Sequence, residues 1–230
     1  MNKFSQFLHS SLGNKLLMSF TGLFLILFLV VHLIGNLQLL IPDQGEAFNA
    51  YVRIMEKNIL IKVVAYALYI AILLHTYKGI DITLRNRKAR GGQRYAVKAV
   101  SGTTWASRNM ALLGSLIFIF IGVHMSNFWY KFKFGHHEGT EFYTMVDTSF
   151  SELWIVVFYA LAQIVLAYHL LHGFQSAFQT LGLRDGNYTR LFKGIGAGIA
   201  VGLPLLFAII PILMYFDIHP MPDFRVFPGQ

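Results

Sequence analysis

Five long apolar runs divide the chain, each bounded by polar or charged stretches. They fall at roughly residues 16–41, 59–84, 109–130, 153–177 and 195–216. A bilayer core takes about 20 largely apolar residues to cross as a helix. Each run meets that length, so the pattern predicts five transmembrane helices. The strict alternation of a membrane β-barrel strand is absent. The first run is too long for the apolar core of a signal peptide, and no small-residue cleavage site follows it. It is read as a helix of the mature chain. Ahead of it, residues 1–14 set Phe4, Phe7 and Leu8 among polar residues, the pattern of a short interfacial helix. The fifth run holds Pro204 and Pro211, each of which removes a backbone donor and bends a helix.

Composition fits this reading. Of 230 residues, 55% are hydrophobic and 13% charged, against about 25% charged in a soluble domain. The whole chain, 1–230, reads as one all-α integral membrane domain. Cysteine is absent, which excludes thiolate catalysis, cysteine-ligated iron–sulfur clusters and disulfides. Any metal or cofactor has to be held by His, carboxylate, Met or backbone. No phosphate-binding glycine loop, nucleophile constellation or dinucleotide fingerprint occurs.

The net charge of +8 is not evenly spread. With the N-terminus cytoplasmic, 13 bases and two acids (Asp81 and Asp185) face inward, and six bases and nine acids face outward. That is the positive-inside distribution. The N-terminus is expected in the cytoplasm and the C-terminus outside. The basic charge then meets anionic lipid or a cytoplasmic partner, and nucleic acid is not needed to explain it.

Nine histidines remain to be placed. His9, His136, His137 and His219 lie in terminal or loop segments. His32, His75, His124, His169 and His172 lie within the spans, where an ionisable residue is costly and needs a reason. Depth sorts them. His32 lies about 25 Å past Lys15 on an outward-running helix, and His124 about 24 Å past Arg108 on another. His75 lies about 15 Å before Arg85 on an inward-running helix, and His169 about 22 Å before Arg184 on another. The result is an outer pair, His32 and His124, and an inner pair, His75 and His169. Two imidazoles at one depth on facing helices are what bis-imidazole haem ligation requires. Tetrahedral zinc would want more ligands at one level, and copper would usually add Cys or Met. Two levels predict two b haems stacked across the membrane. His75-Thr-Tyr-Lys-Gly79 and His169-Leu-Leu-His-Gly173 share H-x-x-x-G, and a glycine one turn on leaves room for a macrocycle edge. That repeat selects His169 over His172, which becomes a neighbouring or propionate-binding group. His32 and His124 each have an Asn about one turn on, Asn36 and Asn127.

These residues resemble the cytochrome b subunit of succinate dehydrogenase and fumarate reductase, in its five-helix, two-haem form. The likeness covers helix count, four His (His32, His75, His124 and His169) on helices 1–4, H-L-x-x-N on helix 1, H-x-x-x-G on helices 2 and 4, and Ser19-Phe-Thr21-Gly22 before His32. The stretch LLHGFQSAFQTLGLR resembles a Bacteroidetes-like branch. The resemblance implies a bacterial cytoplasmic membrane and two partners on its inner face, a flavoprotein and an iron–sulfur subunit. It implies electron transfer between succinate or fumarate and a quinone, menaquinone in this type. His75 and His169 would ligate the inner haem iron, His32 and His124 the outer one. Ser19 matches a propionate-binding position, and Trp105, Arg108 and Arg184 are candidates by location. Quinone chemistry also moves protons, and Glu46 and Glu56 are the outer-side acids near the start of helix 2. Some relatives carry a Glu two residues before the fourth ligand, for a compensating proton path. Here that residue is Ala167, so the likeness does not extend to that path. The alternatives are a cytochrome b of another quinone-linked dehydrogenase, a histidine-dependent proton-coupled transporter, and a haem-free anchor.

Overall fold

The computed structural model describes residues 2, 6, 10–91, 104–135, 141–183 and 189–221. Over these residues the regular structure is helical, and five helices are long and apolar enough to cross a membrane. Helix α1 (Ser11–Leu37) starts at Ser10, whose hydroxyl accepts the Gly13 N–H at 3.0 Å, and tightens into a 3-10 turn at Gln38–Leu40. Residues 11–14 therefore open α1 and do not form a separate interfacial helix. Phe4, Phe7 and Leu8 lie outside the described residues.

A left-handed turn at Gln44 (φ 58°) and Gly45 (φ 85°) leads into α2 (Glu46–Lys57). The Asp43 carboxylate accepts the N–H groups of Gly45 and Ala47 at 2.9 and 2.8 Å, which satisfies donors left open at the helix start. Helix α3 (Ile59–Arg90) follows, capped by Asn58. At 32 residues it is about 48 Å long, well beyond the ~30 Å hydrocarbon thickness. Its apolar run ends near residue 84, yet the helix continues through Arg85, whose Nε donates to Asp81 at 2.7 Å one turn back.

A single turn, Trp105–Arg108, precedes α4 (Met110–Met125). The helix goes on through a π-helical turn, Ser126–Tyr130, to Phe134. Then come α5 (Phe142–Phe150), α6 (Leu153–Thr180) and α7 (Thr189–Tyr215). Helix α7 stays continuous through both prolines.

Helices α1, α3, α4 and α6 form the central bundle, α1 touching α3 and α6, and α4 touching the same two. Helix α7 runs along α6, with Gly196, Ala200 and Pro204 buried on one stripe. Small residues four apart let two helices approach closely. At Gly196 an added Cβ would overlap the Phe174 ring.

Burial is inverted relative to a water-soluble bundle. Ile34, Leu73, Ile119 and Leu205 are each more than half exposed, and many large apolar side chains join them around the bundle's circumference. Such a surface in water would be a large unsatisfied patch, whereas hydrocarbon matches it. Arg85, Arg87, Lys88 and Arg108 are exposed at one end, called here the basic end. The opposite end is closed by α2 and α5, two short amphipathic helices absent from the sequence expectation. Asn49 joins them: its Oδ1 accepts the Tyr143 N–H at 2.9 Å, and its Nδ2 donates to Glu141. Leu39, Leu40, Phe48, Val146 and Phe150 bury there with Phe128, Tyr159 and Ile210 of the long helices.

Candidate functional site

Four long helices each turn a histidine into the bundle, and four of the rings meet in two pairs. His32 of α1 and His124 of α4 have ring centres 5.8 Å apart with planes at 86°. His75 of α3 and His169 of α6 have centres 6.2 Å apart at 66°. His169 is the imidazole that meets His75; His172 lies one turn further along α6 and is partly buried. Along α1, Thr21 touches His75, and His32 lies 11 residues on. The two levels are therefore about 16 Å apart along the helix.

These separations can be tested against a metal. An imidazole nitrogen ligates a first-row metal at about 2 Å, and the ring centre lies about 1 Å behind it, so two rings sharing one metal have centres about 6 Å apart. Both pairs meet that distance. Among the described residues no three of His, Cys, Asp and Glu converge, so the arrangement is pairs and not a tetrahedral cluster. Buried polar atoms are normally hydrogen-bonded, but Nδ1 of His124 and of His169 are buried without a partner.

The surroundings of the two levels differ. At the Asp43 end, His32 is stacked on Phe28 (5.2 Å) and faces Phe207 (5.7 Å). His124 is ringed by Phe120, Phe128 and Tyr159 at 5.4–5.9 Å. Asn36 Nδ2 donates to the His32 carbonyl at 2.7 Å and lies 3.3 Å from its Nδ1. Asn127, one turn past His124, instead donates to the Tyr159 hydroxyl at 3.4 Å. It sits in the π-helical turn, a distortion that often marks functional sites.

At the basic-end level, Thr21 Oγ1 lies 3.1 Å from His75 Nδ1. A Cβ added at Gly22 would come 3.3 Å from His75 Cε1, and one at Gly114 would come 3.8 Å from His169 Cε1. Glycines on two helices thus line the imidazoles. Gly79 and Gly173 of the H-x-x-x-G repeat have nothing within 4 Å of an added Cβ.

Ser19 is buried, its hydroxyl donating to the Lys15 carbonyl at 2.9 Å. Arg108 is exposed, and Trp105 is exposed with its ring 5.5 Å from Tyr168. Arg184, His9, His136 and His137 lie outside the described residues. Glu46 and Glu56 are both exposed on α2.

In the sequence Lys78 stands only as one inward charge. It is 8% exposed, one turn past His75, with Nζ 2.9 Å from Asn14 Oδ1 and 4.0 Å from Asp81 Oδ2. A buried ammonium is costly unless paired and hydrogen-bonded. Asn14 and Asp81 lower that cost and hold the cation beside the basic-end pair. The sequence signal was its place inside H-T-Y-K-G. No protein-family model, curated protein or solved structure matches the chain.

Proposed function

We propose that this chain is the dihaem cytochrome b membrane anchor of a succinate:quinone oxidoreductase, a succinate dehydrogenase or fumarate reductase. Its work would be to pass electrons between an iron–sulfur subunit and a membrane quinone, menaquinone in the type it resembles. The observation that carries the reading is the meeting of four histidines from four helices as two pairs at two depths. The dicarboxylate chemistry would belong to a flavoprotein partner, because this chain holds no flavin or nucleotide motif.

A b haem held by each pair would supply a one-electron carrier. His75 and His169 would ligate at the basic end, His32 and His124 at the other. Lys78, Ser19, His172 and Arg108 are groups of the basic end placed to meet carboxylate substituents of a haem, Lys78 and Ser19 from buried positions. Phe28, Phe120, Phe128 and Phe207 keep water from the outer imidazoles and make that surrounding apolar. Reduction of a quinone consumes two protons with two electrons. Glu46 and Glu56, exposed on α2, are positioned to exchange protons with water at that end. The charge distribution supports an orientation with the basic end and N-terminus in the bacterial cytoplasm, where both soluble partners would dock.

The test is a dithionite-reduced minus oxidised spectrum of the purified chain with its partners, together with haem per chain. Two b haems are expected. His75→Ala and His169→Ala should each remove one haem and leave the other. His32→Ala and His124→Ala should remove the second, and His172→Ala should keep both. A folded, colourless preparation would overturn the reading and turn the histidine pairs toward proton transfer in a transporter.

A further inference from the structure

One hydroxyl beside the basic-end pair has a defined polarity. Thr21 Oγ1 lies 2.7 Å from the Leu17 carbonyl oxygen and 3.2 Å from that of Met18. A threonine in a helix commonly donates back to the carbonyl four residues earlier, and a hydroxyl has only one proton. With that proton spent on its own helix, Oγ1 offers His75 Nδ1, 3.1 Å away, a lone pair. The Nδ1 must then carry the hydrogen. A neutral imidazole protonated at Nδ1 keeps its free lone pair on Nε2.

Thr21 is distinctive in this among the four rings. Nδ1 of His169 and of His124 are buried without partners. His32 Nδ1 faces the Asn36 amide nitrogen, which is a donor and also holds the His32 carbonyl. Gly22, the next residue, brings the bare backbone of α1 against the His75 ring. The Thr21-Gly22 step therefore forms a seat that fixes both the ring's position and its proton.

We propose that Thr21 is a positioning residue that holds His75 as the Nδ1–H tautomer and so leaves Nε2 free for the metal. This rests on the haem reading above. An acceptor on Nδ1–H makes a ligating imidazole more basic, and loss of such a partner typically costs about 10–100-fold in metal affinity. A more basic ligand favours the oxidised metal, so Thr21 lowers the reduction potential of the basic-end level.

The experiment is a potentiometric titration of the two-haem holoprotein, with haem counted per chain, for wild type, Thr21→Val and Thr21→Ser. Thr21→Val should raise the potential of one haem and loosen it tenfold or more, with the His32–His124 haem unchanged as an internal check on folding. Thr21→Ser should restore wild-type behaviour, and should keep the haem even if Thr21→Val loses it. Wild-type potentials and haem content in Thr21→Val overturn the proposal. So does a Thr21→Ser variant that matches Thr21→Val, or a shift shared equally by both haems. A wild-type protein with no haem overturns the reading beneath it as well.

Discussion

At the scale of single residues, what a side chain does here depends on what faces it across a helix interface. Gly45 and Gly182 have similar backbones, with φ of 85° and 73°. Gly45 also lies against Tyr143, whose ring an added Cβ would overlap, while Gly182 has nothing within 4 Å. A non-glycine residue in the left-handed region costs about 1–3 kcal/mol. Gly45→Ala should therefore destabilise the protein more than Gly182→Ala, read as a lower unfolding midpoint in a detergent titration. Equal losses would show that the Tyr143 contact contributes nothing. The histidines were legible as residues, since an ionisable group in an apolar run stands out in any sequence. Thr21 was legible only as part of a motif, because its role needs a partner 54 positions away. Lys78 looked like one more inward charge, and its burial against Asn14 is a tertiary fact.

At the scale of elements, the five spans were readable because apolar length is a local property. Their ends were less so. Helix α3 outruns its apolar run, since helix formation does not require an apolar side chain, and Asp81 and Arg85 pair along its face there. Helices α2 and α5 escaped the reading of spans because each is short and half polar. They are held by contacts with each other and with the bundle end. The contact between α6 and α7 gives a direct test. Gly196 faces Phe174, whereas Gly198 is exposed with nothing within 4 Å. Overpacking costs about 1–3 kcal/mol, so Gly196→Leu should lower the unfolding midpoint and Gly198→Leu should leave it nearly unchanged. If both behave alike, the small-residue stripe is not what seats α7.

At the scale of the whole molecule, the chain has an apolar girth, one strongly basic end and one end closed by short helices. The last turns of α3 carry Arg85, Arg87 and Lys88 exposed at the basic end, beyond the length that a bilayer core needs. We expect a tagged chain to co-purify with a flavoprotein and an iron–sulfur protein. Changing Arg85, Arg87 and Lys88 to Gln should reduce that recovery while leaving haem per chain unchanged. Full recovery of both partners would assign those charges to membrane topology alone.

Hydropathy, helical rise and charge are additive along a chain. The sequence by itself therefore determined an all-helical protein with five apolar spans, histidines at calculable depths on four of them, and a lopsided distribution of charge. Depth is a distance along a helix axis. Rotation about that axis is not, because packing against segments far away in sequence sets it. Only the tertiary structure decided that the imidazoles turn toward each other at 5.8 and 6.2 Å. It alone brought Thr21 and Gly22 against His75 and buried Lys78 on Asn14.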